Sequence, residues 1–100
     1  MKQNIFNAYA EEVGTKFGIS EETLFTKNKR RDIVDARYLL YYLCFVRPMR
    51  IRDIQEYMVE KGYTISHSAI IHGISIVADR IDSDKDYVKV VTDITKCKIH

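Results

Sequence analysis

Ile33-Val34-Asp35-Ala36-Arg37-Tyr38-Leu39-Leu40-Tyr41-Tyr42-Leu43-Cys44-Phe45-Val46 is the most apolar stretch of the chain. Ile33, Ala36, Leu40, Leu43 and Arg47 form one row at three- and four-residue steps, and Leu39, Tyr42 and Val46 form another beside it. A helix apolar over so wide an arc has to be covered on most sides, which makes this segment the expected centre of an all-helical core. Its aromatic residues, Tyr38, Tyr41, Tyr42 and Phe45, are of a type that stacks on bases, but aromatics at helical spacing read first as packing. Pro48 closes the helix, because the residue before a proline is driven out of the α region.

Working towards the N-terminus, Ile5, Phe6, Tyr9, Ala10, Val13 and Phe17 lie on one stripe, and Gly18 can supply a left-handed stop; residues 1–18 are the N-terminal helix. Ser20 followed by Glu21 and Glu22 is an N-cap with carboxylates in the first turn, predicting a short helix to about Phe25. A basic loop, residues 27–32, joins it to the central segment. On the other side, Arg50 to Lys61 carries Ile51, Ile54, Tyr57 and Met58 at helical spacing and ends at Gly62. Ser66 is the next N-cap, and Ile70, Ile74, Val77 and Ile81 then share an inward stripe while Ser68, His72, Ser75 and Asp79 face outward. A last helix is expected from about Ser83 to Lys96, with Asp84 and Asp86 in its first turn and Tyr87, Val90, Val91 and Ile94 apolar. No strand-like alternation, internal repeat or low-complexity segment occurs.

One hundred residues, 46% of them hydrophobic with a single proline, suffice for one domain, residues 1–100, and leave nothing for a second core. No apolar run approaches the roughly 20 residues that span a bilayer, and Met1-Lys2-Gln3-Asn4 does not open like a secretory signal. Cys44 and Cys97 belong to no CxxC pair and read as reduced thiols, so a soluble, cytoplasmic protein with no membrane partner is expected. The net charge of +2 is small, but its distribution is not even. Lys27, Lys29, Arg30, Arg31, Arg37, Arg47, Arg50 and Arg52 face only Asp32 and Asp35 within residues 27–52, a net +6, whereas the remainder is net −4. Such a patch suits a polyanion, although charge runs are also ordinary solvated helix faces.

Residues 50–82, two helices joined by a glycine-containing turn with small polar residues opening the second, have the pattern of a helix-turn-helix that places a helix end in a major groove. The order of features around it resembles the C-terminal duplex-binding domain of the DnaA replication initiator family from about Val13 to Thr95. The likeness rests on the basic loop Lys27-Asn28-Lys29-Arg30-Arg31, on Ile33-Val34-Asp35-Ala36-Arg37 opening a long helix, and on the Ile51-to-Ile54 segment. It rests above all on Ser66-His67-Ser68-Ala69-Ile70-Ile71-His72-Gly73, which stands where that family carries Asp-His-Thr-Thr-Val-hydrophobic-His-Ala.

What the resemblance implies is a compact bundle of about six helices with a helix-turn-helix, like the DnaA C-terminal domain and the Trp repressor, binding double-stranded DNA without an enzymatic activity or cofactor. It further implies a cytoplasmic setting in a bacterium, or in the bacterial host of a phage or mobile element, and a role in replication or regulation. Lys27, Lys29, Arg30 and Arg31 would meet phosphates or the minor groove. Arg37 and Arg50 would add contacts from their helices, and Ser66, His67, Ser68 and His72 would present the recognition helix. Four differences from the family stand out: Tyr38 in place of a glutamine, Ser66 and Ala69 in place of an aspartate and a threonine, Gln55 in place of a glycine, and a longer helix before the turn. Asp32 and Asp35 add negative charge beside the loop, unless paired with its arginines.

Other chemistries find less in the sequence. Gly14-Thr15-Lys16 lacks the glycines of a phosphate loop, and no Ser, His and Asp stand at triad-like positions. His67 and His72 diverge by about 140° on a helix, and Cys97-x-x-His100 is one incomplete pair, so no metal site is expected. The alternative is a protein-interaction module that uses its tyrosines and arginines as interface anchors, or a self-associating one.

Overall fold

The computed structural model describes residues 2–97, with side chains through residue 94. The described chain is all-helical, built from α1 (Lys2–Phe17), α2 (Glu21–Leu24), α3 (Arg31–Val46), α4 (Ile51–Glu60), α5 (His67–Ser83) and α6 (Lys85–Cys97). The Cys97-to-His100 pair considered above lies outside the described side chains.

The central segment becomes α3, which touches α1, α2, α4 and α5. Ile33 is buried near its start, and Ala36, Leu39, Leu40, Tyr41, Leu43 and Cys44 join Phe6, Tyr9 and Val13 of α1 and Ile70 and Val77 of α5 in one continuous core. The wide apolar arc is therefore covered, except at its end, where Phe45 is 44% and Val46 51% exposed. Tyr41 and the half-buried Tyr38 and Tyr42 pack, as their spacing implies.

Helix ends follow local chemistry. At the end of α1, Gly18 takes φ 65° and the Gly18 and Ile19 amides donate to the Thr15 and Gly14 carbonyls; Gly62 at φ 89° repeats the arrangement after α4, with bonds to Val59 and Met58. Ser20 caps α2 and Ser66 caps α5, each hydroxyl accepting the amide three residues on. Boundaries shift where the sequence offers competing caps. Asp84 stands before α6 rather than in its first turn, and its carboxylate accepts the Asp86 amide at 3.0 Å, so the last helix starts at Lys85 instead of Ser83. The first helix, Lys2–Phe17, lies within the expected residues 1–18, and Lys2 and Gln3 reach Asp53 and Glu60 of α4.

The α3–α5 crossing sets the geometry of the candidate site. Gly73 of α5 is buried against α3, and a Cβ there would stand 2.6 Å from Tyr38 Cδ1 and 3.1 Å from Tyr41 Cδ2. Only a glycine permits this approach. An ion pair at 3.1 Å between Arg80 and Asp35 fixes the same two helices further along. Among the described residues, no helix is long and apolar enough to cross a membrane.

Candidate nucleic-acid interface

The basic segment leaves α2 at Phe25 and enters α3 at Arg31, so the irregular loop ends at Arg30, two residues earlier than the sequence suggested. Lys27, Lys29, Arg30 and Arg31 are all exposed. Asn28 shapes the loop: its Oδ1 accepts the Arg30 amide at 2.8 Å, the side-chain turn that asparagine favours. The acids beside the loop are engaged. Asp32 pairs with Arg30 at 3.0 Å and Asp35 with Arg80, leaving Lys27, Lys29 and Arg31 without an ion pair among the described residues.

Arg37 corrects the sequence reading. It is 4% exposed and therefore not a surface contact. Its Nε donates to the Leu24 carbonyl at 2.9 Å, and its Nη2 to those of Thr26 at 2.7 Å and Asn28 at 3.3 Å. The guanidinium lies over the Tyr63 ring, 4.7 Å from its centroid. One side chain thus ties the descending loop to the turn between α4 and α5. A planar fork of donors can satisfy several carbonyls at once, which explains why an arginine occupies this place.

Tyr63 belongs to the turn that leads into α5, and Gln55 of α4 holds the same turn by donating to the Ile65 carbonyl at 2.8 Å. A glycine at this position could not make that bond. Ser66, His67, Ser68 and His72 are exposed along the first turns of α5. The His72 ring meets Tyr38 edge-on, with centroids 6.0 Å apart.

Loop and helix end share a cleft of about 390 Å³. Asn28 and Lys29 form its loop side, Arg37, Tyr38 and Tyr41 its floor on α3, and Tyr63, Ser66 and His72 belong to the opposite wall. Of the residues expected at an interface, Lys29, Ser66 and His72 line it, with Arg37 beneath the surface. Lys27, Arg30 and Arg31 flank it within the loop, and His67 and Ser68 flank it on the first turn of α5. Arg50 is exposed at the start of α4 and does not line the cleft. The sequence gives no site role to Asn28 or Tyr63, and Tyr41 reads there as packing. The Asn-x-Arg spacing was a readable turn signal, whereas the meeting of Tyr63 with Arg37 depends on tertiary packing.

Burial pushes the Tyr41 phenol above its ordinary pKa, and the phenol of Tyr63 adds to the effect while Arg37 opposes it. The Tyr41 hydroxyl therefore stays protonated and able to donate. Compared with known proteins, the chain matches no family model and no curated sequence.

Proposed function

We propose that this protein binds double-stranded DNA, using the loop at residues 27–31 on phosphates or in the minor groove and the first turns of α5 in the major groove. α4, the turn and α5 act in this reading as a helix-turn-helix. The observation that carries it is the shared cleft: Lys29 of the loop and Ser66 at the N-terminal end of α5 line the same opening. Exposed cations without partners supply phosphate affinity, and the helix end offers small polar side chains and free amides. In this reading the protein is an accessory replication factor or a regulator.

Salt provides the test. With Lys27, Lys29, Arg30, Arg31 and Arg50 on phosphates, log affinity should fall with log salt at a slope of about −4 to −5. Raising salt from 50 to 200 mM then weakens binding roughly 500-fold. R30A/R31A should abolish general duplex binding, while H67A and S68A should mainly change the sequence preference in a selection from random duplexes. Salt-insensitive binding, or binding untouched by all four changes, would eliminate the assignment. The exposed Phe45 and Val46 at the end of α3 favour a second reading, a protein-interaction surface. That reading predicts self-association or partner binding with little salt dependence.

A further inference from the structure

The floor of the cleft carries a polar group without a partner. Tyr41 is 1% exposed, and its hydroxyl makes no hydrogen bond among the described residues. Tyr41 lines the cleft together with Tyr38, Arg37 and Tyr63. Leaving a buried hydroxyl without a partner destabilises the free fold. A phenylalanine would serve a purely structural ring better.

Two kinds of chemistry converge around it. Anion-binding groups occupy one side: Lys29 is exposed without an ion pair among the described residues, on the loop whose carbonyls Arg37 holds. The Ser66 hydroxyl accepts the Ala69 amide, and the His67 and Ser68 amides precede the first intrahelical bond, leaving a helix end that favours negative charge. Ring surface occupies the other side, from Tyr38 and Tyr63, both only half buried. About 390 Å³ is enough for one ring-bearing unit and far too little for a duplex.

We propose that this cleft binds a single nucleoside monophosphate unit, its phosphate towards Lys29 and the start of α5 and its base against the tyrosines. Stacking on aromatic faces tolerates any base, and the phosphate supplies the charge. The inference rests on the duplex-binding reading for its setting, since an unpaired nucleotide at a strand end or break is one source of the ligand. A free mononucleotide, which would then act as an effector of the DNA surface, is the other.

The test is calorimetric titration of the full chain with thymidine monophosphate, thymidine and inorganic phosphate. Saturable 1:1 binding of the monophosphate is expected, with each fragment weaker by about tenfold or more. Y41F should lower its affinity about tenfold without lowering the melting temperature, because the lost hydroxyl contributes nothing to the free fold. Amide shifts of Lys29, Tyr41 and Ser66 in the unaltered protein on addition of the monophosphate give the same answer independently of that variant. Preference for a duplex with an overhang over a blunt one identifies the strand end as the source, and equal binding of the two identifies the free nucleotide. Absence of saturable binding, inorganic phosphate binding as tightly as the nucleotide, or unchanged affinity in Y41F would each overturn the proposal. Duplex binding without mononucleotide binding removes this inference alone. Mononucleotide binding without duplex binding removes the duplex reading and leaves the cleft.

Discussion

Arg37 shows how residue type and residue role part company. An arginine near the start of a helix, beside a basic loop, reads as a phosphate contact, yet its acceptors are the carbonyls of Leu24, Thr26 and Asn28. Those acceptors lie 9 to 13 residues upstream and are brought to it by the fold, so no local spacing reveals them. A lysine offers one ammonium in place of a fork. R37K should therefore destabilise the protein by about 2 kcal/mol in urea unfolding. It should also weaken duplex binding under conditions where the variant is folded, since the loop loses its anchors. An unchanged urea midpoint would show that the clamp does not hold the fold. Gly73 makes the complementary point about space. G73A gains up to about 1 kcal/mol of helix propensity but drives a methyl into Tyr38 and the buried Tyr41. Overpacking of this kind costs about 1–3 kcal/mol, so the net expectation is a lower melting temperature, and a higher one would show that the α3–α5 contact yields easily.

Helices were far more legible than the contacts between them. The stripes of α1, α4 and α5, their glycine stops and serine caps follow from nearest-neighbour chemistry, and the structure places them within a few residues of where that chemistry points. A cap decided the start of α6, where Asp84 stands outside the helix, whereas α3 reached back to Arg31 without one. The start of α3 is notable because it breaks the usual rule. Arg30 occupies the N-cap with no side-chain cap bond and Arg31 the first turn, so two cations sit at the positive end of a helix, with only Asp32 in that turn to offset them. A local conflict of this kind is expected where function overrides stability. Replacing Arg30 with aspartate supplies a cap and reverses the charge. R30D should therefore raise stability by about 0.5–2 kcal/mol while sharply weakening duplex binding, measured by chemical unfolding and by titration of the same preparation. If stability fell, the arginine would be serving the fold and the conflict would have no functional reading.

Among the described residues, one set of charges fastens helices to each other and another is without ion pairs. Lys2–Asp53 joins α1 to α4, Arg80–Asp35 joins α5 to α3, Lys61–Glu21 joins the end of α4 to α2, and Lys16–Asp93 joins α1 to α6. The free cations Lys27, Lys29 and Arg31 cluster at the proposed interface instead. Every fastening includes a carboxylate, so acid should loosen the fold before it changes any positive charge. Asp53 has the clearest signature. The hydrogen bond from Lys2 holds its carboxyl below the usual range, aided by the Arg50 amide and the charges of both residues, although its partial burial works the other way. Because the folded value is the lower one, this contribution is complete above the unfolded carboxylate value of about 3.9. It is lost as pH falls through the folded value. Melting followed by circular dichroism should thus be insensitive to Asp53 protonation from about pH 7 down to 5 and decline below about 4. D53N should lie below the unaltered protein by about 0.2–1 kcal/mol at neutral pH, with the gap closing in strong acid, where both side chains are uncharged. A gap that persisted at low pH would mean that the side chain acts through packing, and the ion pair between α1 and α4 would contribute nothing to stability.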